Sequence, residues 1–283
     1  MNTLLKIMTD SSVQLTEEEI KKYDITVVPL SVTIDGKTYV DGVDITRRDF
    51  IERMDEDSDV PKTSQPPIGR FVETIKKLTA DGSEVLGIFL AKSLSGTIDA
   101  AKQAAQMVPD AKVVCHDSGY TDRSEGYEVI AAAQDAQAGK SIDEILDHLK
   151  KMEDNMYLEM MIPDLTNIVK GGRLGKLASR VVSMLNIRIS LQMKNGKVLV
   201  PKKGRGKKFT EKFNDMLVEQ LKELGDQVKQ VGISYVDTLD DMEKLAARFK
   251  EVNPNVDILI QKTSPIIITH AGHGAYAVMF YTE

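Results

Sequence analysis

Three short segments place hydroxyl side chains beside glycine or aspartate: TDSS at residues 9–12, SLSGT at 93–97 and DSG at 117–119. Each follows an apolar run and precedes a segment of helical periodicity, so each predicts a turn between a strand and a helix. A helix N-terminus offers unpaired N–H groups and partial positive charge, which favour an anion. The turn around Gly96 is the best candidate, although a serine or threonine before a helix is more often simply its cap.

Two further segments could hold an anion. TSQPP at residues 63–67 begins with two hydroxyls and is made rigid by two prolines, although its composition is also typical of a surface turn. GGRLGK at 171–176 offers Arg173 as a planar donor, or else marks a helix end followed by a new helix. Neither segment has the spacing of a phosphate-binding P-loop.

His270 and His273 lie in the glycine-rich segment HAGHG at residues 270–274. The sequence supplies no recognisable further ligands for these two histidines, so we predict no metal site. His270 could instead donate a hydrogen bond to an anion, or could equally serve a structural role. His116 and His148 are interpreted as an ordinary loop residue and part of a solvated helix face.

The sequence offers little sign of a familiar catalytic centre. Asp10 and Asp117 could act as general bases, but an aspartate after a strand more often caps the next helix. The sequence contains no HExxH, no GxSxG and no GxGxxG after the first strand. The common protease, hydrolase and dinucleotide-dependent activities are therefore not indicated.

Composition sets the class of protein. The 283 residues suffice for one large domain or two ordinary ones, and 42% hydrophobic with 28% charged residues is typical of a soluble globular protein. A single cysteine, no apolar run that could span a membrane and no signal peptide favour a cytoplasmic protein. A net charge of −6 and 5% aromatic residues argue against nucleic-acid binding, although the segment 202–208, KKGRGKK, is locally basic.

Up to about residue 155, apolar runs alternate with amphipathic segments. We predict strands at residues 4–8, 85–90 and 112–115, and residues 25–33 form another apolar, β-branched run. We predict helices at 16–22, 69–78, 98–107 and 124–138, a loop at 60–68, and a hairpin in which Asp35-Gly36 joins residues 32–34 to 38–40. The alternation implies a mostly parallel sheet with helices on both faces. Because ligands bind where parallel strands end, the hydroxyl-rich turns are expected to meet at one edge.

The pattern changes after residue 155. We predict strands at residues 157–161, 187–193, 197–200, 228–235, 256–260 and 276–281, helices at 165–169, 177–185, 209–224 and 239–250, and a second hairpin turn at Asn195-Gly196. Hairpins among helices indicate a mixed or antiparallel sheet. The sequence therefore predicts an α/β protein of two domains, residues 1–155 and 156–283.

Six motifs occur in chain order: TDS at 9–11, DGVDI at 41–45, TSQP at 63–66, LSGT at 94–97, GRL at 172–174 and HxGxG at 270–274. Together they resemble the DegV family, over essentially the whole chain. The resemblance implies a cytoplasmic, cofactor-free protein of two α/β domains that holds one long-chain fatty acid, such as palmitate, in a tunnel between them. It implies no enzyme activity, nucleic-acid partner or integral membrane segment. Its expected partner is the catalytic subunit of a bacterial fatty acid kinase, which phosphorylates the bound carboxylate to an acyl phosphate for phospholipid synthesis.

By motif, the resemblance implies that Thr63 and Ser95 hold the carboxylate, that the backbone N–H near Gly96 helps, and that His270 lies close by. A carboxylate taken out of water needs such donors. Burial of one methylene group stabilises a complex by ~0.8 kcal/mol, so an acyl chain of roughly fourteen methylenes could contribute on the order of 11 kcal/mol to the binding free energy before the cost of ordering the chain is subtracted.

The resemblance also places Arg173 and Arg205 near the tunnel mouth, for head-group handling or kinase docking. Two positions depart from the family pattern. His273 stands where many members have proline, and Glu125 where a small or apolar residue is expected. Both departures concern which acyl chain or which partner protein is preferred, and not the class of ligand.

Apolar side chains of the second half could line the tunnel. Met184 and Met193 suit an adaptable lining, and the helix face formed by Leu177, Val181, Met184 and Leu185 could line the tunnel or pack on the sheet. Methionine serves more often as an ordinary filler of protein cores.

Two other functions stay open at this point. One is an enzyme that acts on a small anionic metabolite in the cleft between the domains, with Asp10, Asp117 or His270 transferring protons. The other is a regulatory module that uses residues 202–208 to contact an acidic partner or nucleic acid, unless these residues are simply a solvated turn.

Overall fold

The computed structural model describes residues 4–56, 59–175, 177 and 186–282. Within them the elements follow in the order β1 (Leu5–Asp10), α1 (Glu17–Lys22), β2 (Thr26–Val28), β3 (Ser31–Ile34), β4 (Lys37–Val40), α2 (Arg47–Glu56), β5 (Lys62–Ser64), α3 (Ile68–Thr79), β6 (Glu84–Phe89), α4 (Thr97–Gln106), β7 (Val113–Asp117), α5 (Asp122–Gln137), α6 (Ile142–Asp154), β8 (Met156–Ile162), α7 (Thr166–Lys170), β9 (Ile187–Lys194), β10 (Lys197–Arg205), α8 (Gly206–Leu224), β11 (Gln230–Tyr235), α9 (Leu239–Val252), β12 (Asp257–Lys262), α10 (Pro265–Ala271) and β13 (Tyr276–Tyr281).

The first sheet is fully parallel, with the strand order β2-β1-β6-β7. Alternate residues of β6 face opposite sides, as strand geometry requires. Val85 and Phe89 pack with α3 and α4, whereas Leu86 and Ile88 pack with α5 and α6. Both faces are therefore covered by helices, as the sequence predicts.

The second sheet has six strands in the order β10-β9-β8-β13-β11-β12. Only the β11–β12 pair is parallel. Along β13, Val278 and Phe280 face the core formed with α8 and α9, whereas Ala277 and Met279 face the core shared with α5. The predicted fold class, α/β with one parallel and one mixed sheet, is confirmed, while the exact domain boundary at residue 155 stays a prediction.

A third, small sheet joins the two larger ones. It is antiparallel, with the order β4-β3-β5, and its residues Val32 and Ile34 share a core with Ile189 and Ile266 from the second half of the chain. The hairpin predicted at Asp35-Gly36 is confirmed by the antiparallel pair β3–β4, whereas the apolar run at 25–33 does not form one continuous strand. Pro29 divides this run between β2 in the parallel sheet and β3 in the small one, because proline has no N–H for a sheet ladder.

Other elements also differ from the sequence prediction. The predicted loop at 60–68 contains β5, the helices α2, α6 and α10 are additional, and β10 extends to Arg205 through an irregularity between Leu199 and Lys202. The basic segment 202–208 therefore forms the end of β10 and the start of α8 rather than a solvated turn. The predicted helix at 177–185 lies almost wholly outside the described residues.

Buried polar groups connect the first half of the chain to the second sheet. Asp122, fully buried at the start of α5, accepts hydrogen bonds from Ser234 Oγ at 2.5 Å and Thr263 Oγ1 at 2.6 Å. Its neighbour Arg123 donates to Gln230 Oε1 at 2.7 Å. These contacts fix α5 against β11 and the end of β12.

Two glycine backbones also meet across the halves. Gly119 follows β7 and Gly196 lies in the turn between β9 and β10, and a Cβ at Gly119 would stand 3.1 Å from the Gly196 nitrogen. Both glycines have positive φ angles, 69° and 68°. In the described parts of the chain, no helix is both long and apolar enough to cross a membrane.

Candidate functional site

A largely apolar cavity lies between the two halves of the chain. The water-accessible space in this cavity is about 90 Å³, and the cavity is partly open to solvent. The first half of the chain contributes Leu30, Thr63, Leu90, Leu94, Ser95 and Thr121, and the second half Leu158, Met160, Ile168, Arg173, Leu191, Met193, Val198, Ile266, Ile267, His270 and Ala271.

Thr63, Ser95, Arg173 and His270 supply most of the polar lining. Thr63 Oγ1 lies 2.9 Å from His270 Nε2. Ser95 Oγ lies 2.9 Å from Thr97 Oγ1 and accepts the Thr97 N–H at 3.3 Å, so it also helps to start α4. Four of the residues predicted to handle an anion thus border the same cavity, while their role in binding stays a prediction.

The other two predicted residues lie elsewhere. Gly96 is not part of the cavity wall, but it lines an open hollow that shares Thr63, Ser95 and Arg173 with the cavity. Arg205 is exposed at the end of β10 and lines neither space.

His270 holds a neutral imidazole. Burial, together with the charge of Arg173, lowers its pKa from the usual 6.5 to about 3. Its Nδ1 is buried with no hydrogen-bond partner among the described residues. Gly171 faces this atom, and a Cβ built on Gly171 would overlap it. The absence of a side chain at position 171 therefore lets the ring lie where Nε2 reaches Thr63.

Arg173 connects two loops at the polar end of the cavity. Its Nη1 donates to the carbonyl oxygen of Gly171 at 2.6 Å and its Nε to that of Leu94 at 3.3 Å. The side chain is half-buried, and burial lowers its pKa from the ordinary value. Among the described residues Arg173 has no carboxylate partner, and a cation in this position attracts an anion to the end of the cavity.

The hydroxyls of residues 9–12, which the sequence suggests for a ligand, bind carboxyl groups of the protein itself. Thr9 Oγ1 and Ser12 Oγ donate to Glu125 at 3.0 and 3.1 Å, and Ser11 Oγ donates to Asp41 at 2.6 Å. Burial raises the pKa of Glu125 well above its ordinary value, and the nearby Asp10 adds to the effect. This turn is part of the framework and does not line the cavity.

The two aspartates considered as general bases are also structural. Asp10 Oδ2 accepts the N–H of Leu90 at 2.9 Å, and Asp117 Oδ1 accepts that of Lys92 at 3.1 Å. The three strand-to-helix turns therefore meet at one edge, as predicted. Each aspartate positions the loop after β6, and neither lines the cavity.

Sequence reasoning missed most of the apolar wall. Met193 was predicted as lining and is present, but Met160, Leu158 and Leu191 were recognised only as strand residues. Alternation along β8 and β9 would have placed them on one face. Leu177 packs in a core rather than on the cavity, while Val181, Met184 and Leu185 lie outside the described residues.

The fold and the cavity define an α/β protein with an apolar interior pocket that is polar at one end. The chain belongs to the DegV family. The family model, described as "Uncharacterised protein, DegV family", matches residues 4–283. The family resemblance seen in the sequence is thus confirmed.

Individual relatives are similar to this chain over nearly its full length. A DegV domain-containing protein of Streptococcus pneumoniae is 39% identical over 277 residues, 98% of both chains. A fatty acid binding DegV family protein from Streptococcus agalactiae is similar in structure, with a TM-score of 0.90 and 27% identity over 99% of both chains. A Thermotoga maritima protein described as revealing a fatty acid binding function has a TM-score of 0.83 and 26% identity, covering 99% of this chain and 100% of its own.

Gly171→Ala is expected to lower the free energy of unfolding by about 1–3 kcal/mol, because the new methyl group collides with the His270 ring. Chemical denaturation measures the loss. In a His270→Ala background the same substitution should lose part of its effect, since the collision with the ring is gone while the close contact of the new Cβ with the Asn167 carbonyl oxygen, at 2.9 Å, remains. Gly69→Ala, in open space on α3, is the matched control and should leave stability nearly unchanged. Equal destabilisation by Gly171→Ala in both backgrounds would contradict this packing.

The neutral His270 predicts an acid-dependent loss of stability. Since its pKa is about 3 in the folded protein and 6.5 ordinarily, the unfolded state gains the proton first, and stability falls as the pH drops below 6.5. Between pH 7 and pH 5, wild type should lose about 2 kcal/mol more than His270→Asn. Denaturation curves at both pH values test this, with the exposed His273→Asn as the control. Parallel losses in wild type and His270→Asn would contradict a neutral buried ring.

Proposed function

We propose that this protein binds one long-chain fatty acid, such as palmitate, with the acyl chain in the cavity and the carboxylate at Thr63, Ser95 and His270. The observation that carries the proposal is the distribution of polarity in the cavity. Thr63 contacts His270 and borders one open hollow together with Ser95 and Arg173, whereas the rest of the lining is leucine, isoleucine, methionine, valine and alanine apart from Thr121. Such a space matches a molecule with one anionic end and a long apolar tail.

The energetics favour this ligand class. Each buried methylene contributes ~0.8 kcal/mol, so a long acyl chain supplies most of the binding free energy. The carboxylate must exchange water for protein donors, because burying a charge without them is costly. Thr63, Ser95 and Arg173 provide these donors without carrying a competing carboxylate.

The same geometry supports a carrier rather than an enzyme. Among the described residues that line the cavity, none is an aspartate or a glutamate, and the low pKa of His270 makes its ring a poor base at neutral pH. Solvent extraction of the purified protein followed by mass spectrometry separates the two functions. Stoichiometric fatty acid supports the carrier, whereas a polar metabolite without lipid supports an enzyme.

We further propose that the protein acts in the cytoplasm and presents the carboxylate to a separate fatty acid kinase, which transfers phosphate from ATP to form an acyl phosphate for phospholipid synthesis. The open hollow beside the cavity supports this idea. It is lined by Lys92, Ser93, Gly96 and Arg173, among others, and it exposes the polar end of the cavity to solvent. A phosphate donor could approach the carboxylate from this side while the acyl chain stays buried.

Thr63→Ala combined with Ser95→Ala is expected to weaken palmitate binding roughly 10²- to 10⁴-fold, because each lost hydroxyl removes a donor to a charged group worth about 1.5–3 kcal/mol. Displacement of a fluorescent fatty acid measures the affinity. Ser93→Ala, an exposed hydroxyl of the same loop, is the control and should bind as wild type. Unchanged affinity in the double variant would refute this carboxylate site.

Arg205→Ala is expected to leave palmitate affinity unchanged, because Arg205 is exposed and lines neither the cavity nor the hollow. It is expected to reduce phosphorylation of the bound fatty acid, because we propose that this exposed arginine contacts the kinase. Acyl phosphate formation in the reconstituted system is the measurement. Lys222→Ala, near the far end of α8, serves as the control. Equal turnover with Arg205→Ala and wild type would reject a role in docking.

A further inference from the structure

Three potential metal ligands converge away from the cavity. His116 on β7, Glu128 on α5 and Glu153 on α6 bring one nitrogen and two oxygens to within 4.8 Å of one another. His116 Nε2 lies 3.2 Å from Glu128 Oε2 and 3.3 Å from Glu153 Oε1. The sequence interpretation of His116 as an ordinary loop residue is wrong, because it lies in a strand and points at two carboxylates.

A hydrogen bond from the His116 ring accounts for only one of these two contacts. A ring nitrogen carries at most one hydrogen, yet two carboxylate oxygens approach Nε2 at nearly equal distances. Only the contact to Glu128 has hydrogen-bond geometry. The other oxygen of Glu128, Oε1, is buried and has no partner among the described residues.

Other hydrogen-bond donors near the cluster do not supply further hydrogen bonds to the inner carboxylate oxygens of Glu128 and Glu153. Lys150 Nζ contacts the outer oxygen of Glu153, Oε2, at 2.9 Å. The Tyr120 hydroxyl donates to the backbone carbonyl of Glu153 rather than to its carboxylate. The inner oxygens of Glu128 and Glu153 therefore share one polar hydrogen. A fully buried carboxylate in this condition is stabilised by positive charge close to it, which a protonated His116 or a bound metal ion can supply.

We propose that His116, Glu128 and Glu153 bind a divalent transition-metal ion such as Zn²⁺. Ligand atoms ~2.0–2.2 Å from one ion are about 3–3.6 Å apart, and both measured separations lie in this range. An imidazole with two carboxylates favours Zn²⁺ or Mn²⁺ over Mg²⁺ and Ca²⁺. Cys115 is not a ligand, because it packs on the opposite side of β7 with the core of α3 and α4.

The ion would connect three elements and remain exchangeable. It links β7 to α5 and α6, which otherwise meet mainly through apolar side chains. Glu128 is fully buried, but the His116 and Glu153 side chains each retain 16% of their exposure, so solvent reaches one side of the cluster. An ion that binds only the folded chain stabilises it in proportion to the logarithm of its free concentration. None of the three residues lines the cavity, so this site is independent of the proposed fatty-acid binding.

Isothermal titration of the chelator-treated, dialysed protein with ZnCl₂ and MnCl₂ tests the site. We expect one ion per chain with micromolar or tighter affinity, a rise in melting temperature on addition of Zn²⁺, and much weaker binding of MgCl₂. Absence of saturable binding of both transition ions to the wild-type protein would overturn the proposal, and it would leave the fatty-acid site unaffected.

Variants locate the ion. His116→Gln and Glu153→Gln should each weaken Zn²⁺ binding at least tenfold and abolish the rise in melting temperature, with unchanged circular dichroism. Glu153 is near the end of α6 and partly exposed, so its substitution keeps the test available if His116→Gln does not fold. His148→Gln is the control, because His148 contacts a single carboxylate, that of Asp135, at 2.6 Å. Binding retained at wild-type strength in both ligand variants, or lost equally in the control, would place the ion elsewhere and reject this site.

Discussion

An apolar cavity inside a close-packed protein persists only if the elements around it cannot move inward to fill it. In this protein each wall is already packed on its far side. Strands β8 and β9 face the cavity with Leu158 and Leu191, and α8 and α9 pack on the opposite face of the same sheet. Helix α10 is backed by the small sheet and by α2. The space is therefore bounded by elements that are packed on their other sides.

The polar end of the cavity depends on the same rigidity. Thr63 lies on β5, His270 on α10 and Ser95 before α4, so three separate parts of the chain must be held in place for their polar atoms to meet. The small sheet positions Thr63, and the aspartates at the ends of β1 and β7 position the loop that carries Ser95. Several motifs that are weak individually contribute to one site because this framework joins them.

Much of this arrangement could be predicted from the sequence. The alternation of apolar and amphipathic segments predicted the parallel sheet, and the hydroxyl-rich turns predicted the edge at which they gather. The division of residues 25–33 at Pro29 and the short apolar helix α10 were missed, because a run of β-branched residues is equally typical of a strand. Ser264 and Pro265 form a cap and first turn that could have indicated α10.

Side-chain partners were harder to predict than elements. Hydroxyls at residues 9–12 were candidates for a ligand, but they bind Glu125 and Asp41, which lie 113 and 30 residues away in sequence from Ser12 and Ser11. His116 was missed for the same reason, since its carboxylate partners come from two different helices. Periodicity describes which face of an element is buried, and it carries no information on which distant polar group lies opposite.

The contact between Gly119 and Gly196 has a consequence for how the cavity can change during evolution. The turn that contains Gly196 directly connects two wall strands, and Met193 and Val198 flank it on the cavity side. A side chain at Gly119 would have little room, because its Cβ would stand 3.1 Å from the Gly196 nitrogen, and the positive φ angles disfavour most other residues at both positions. We therefore expect ligand size to change through exchange of Met160, Met193 or their neighbours inside the pocket rather than through substitution of Gly119.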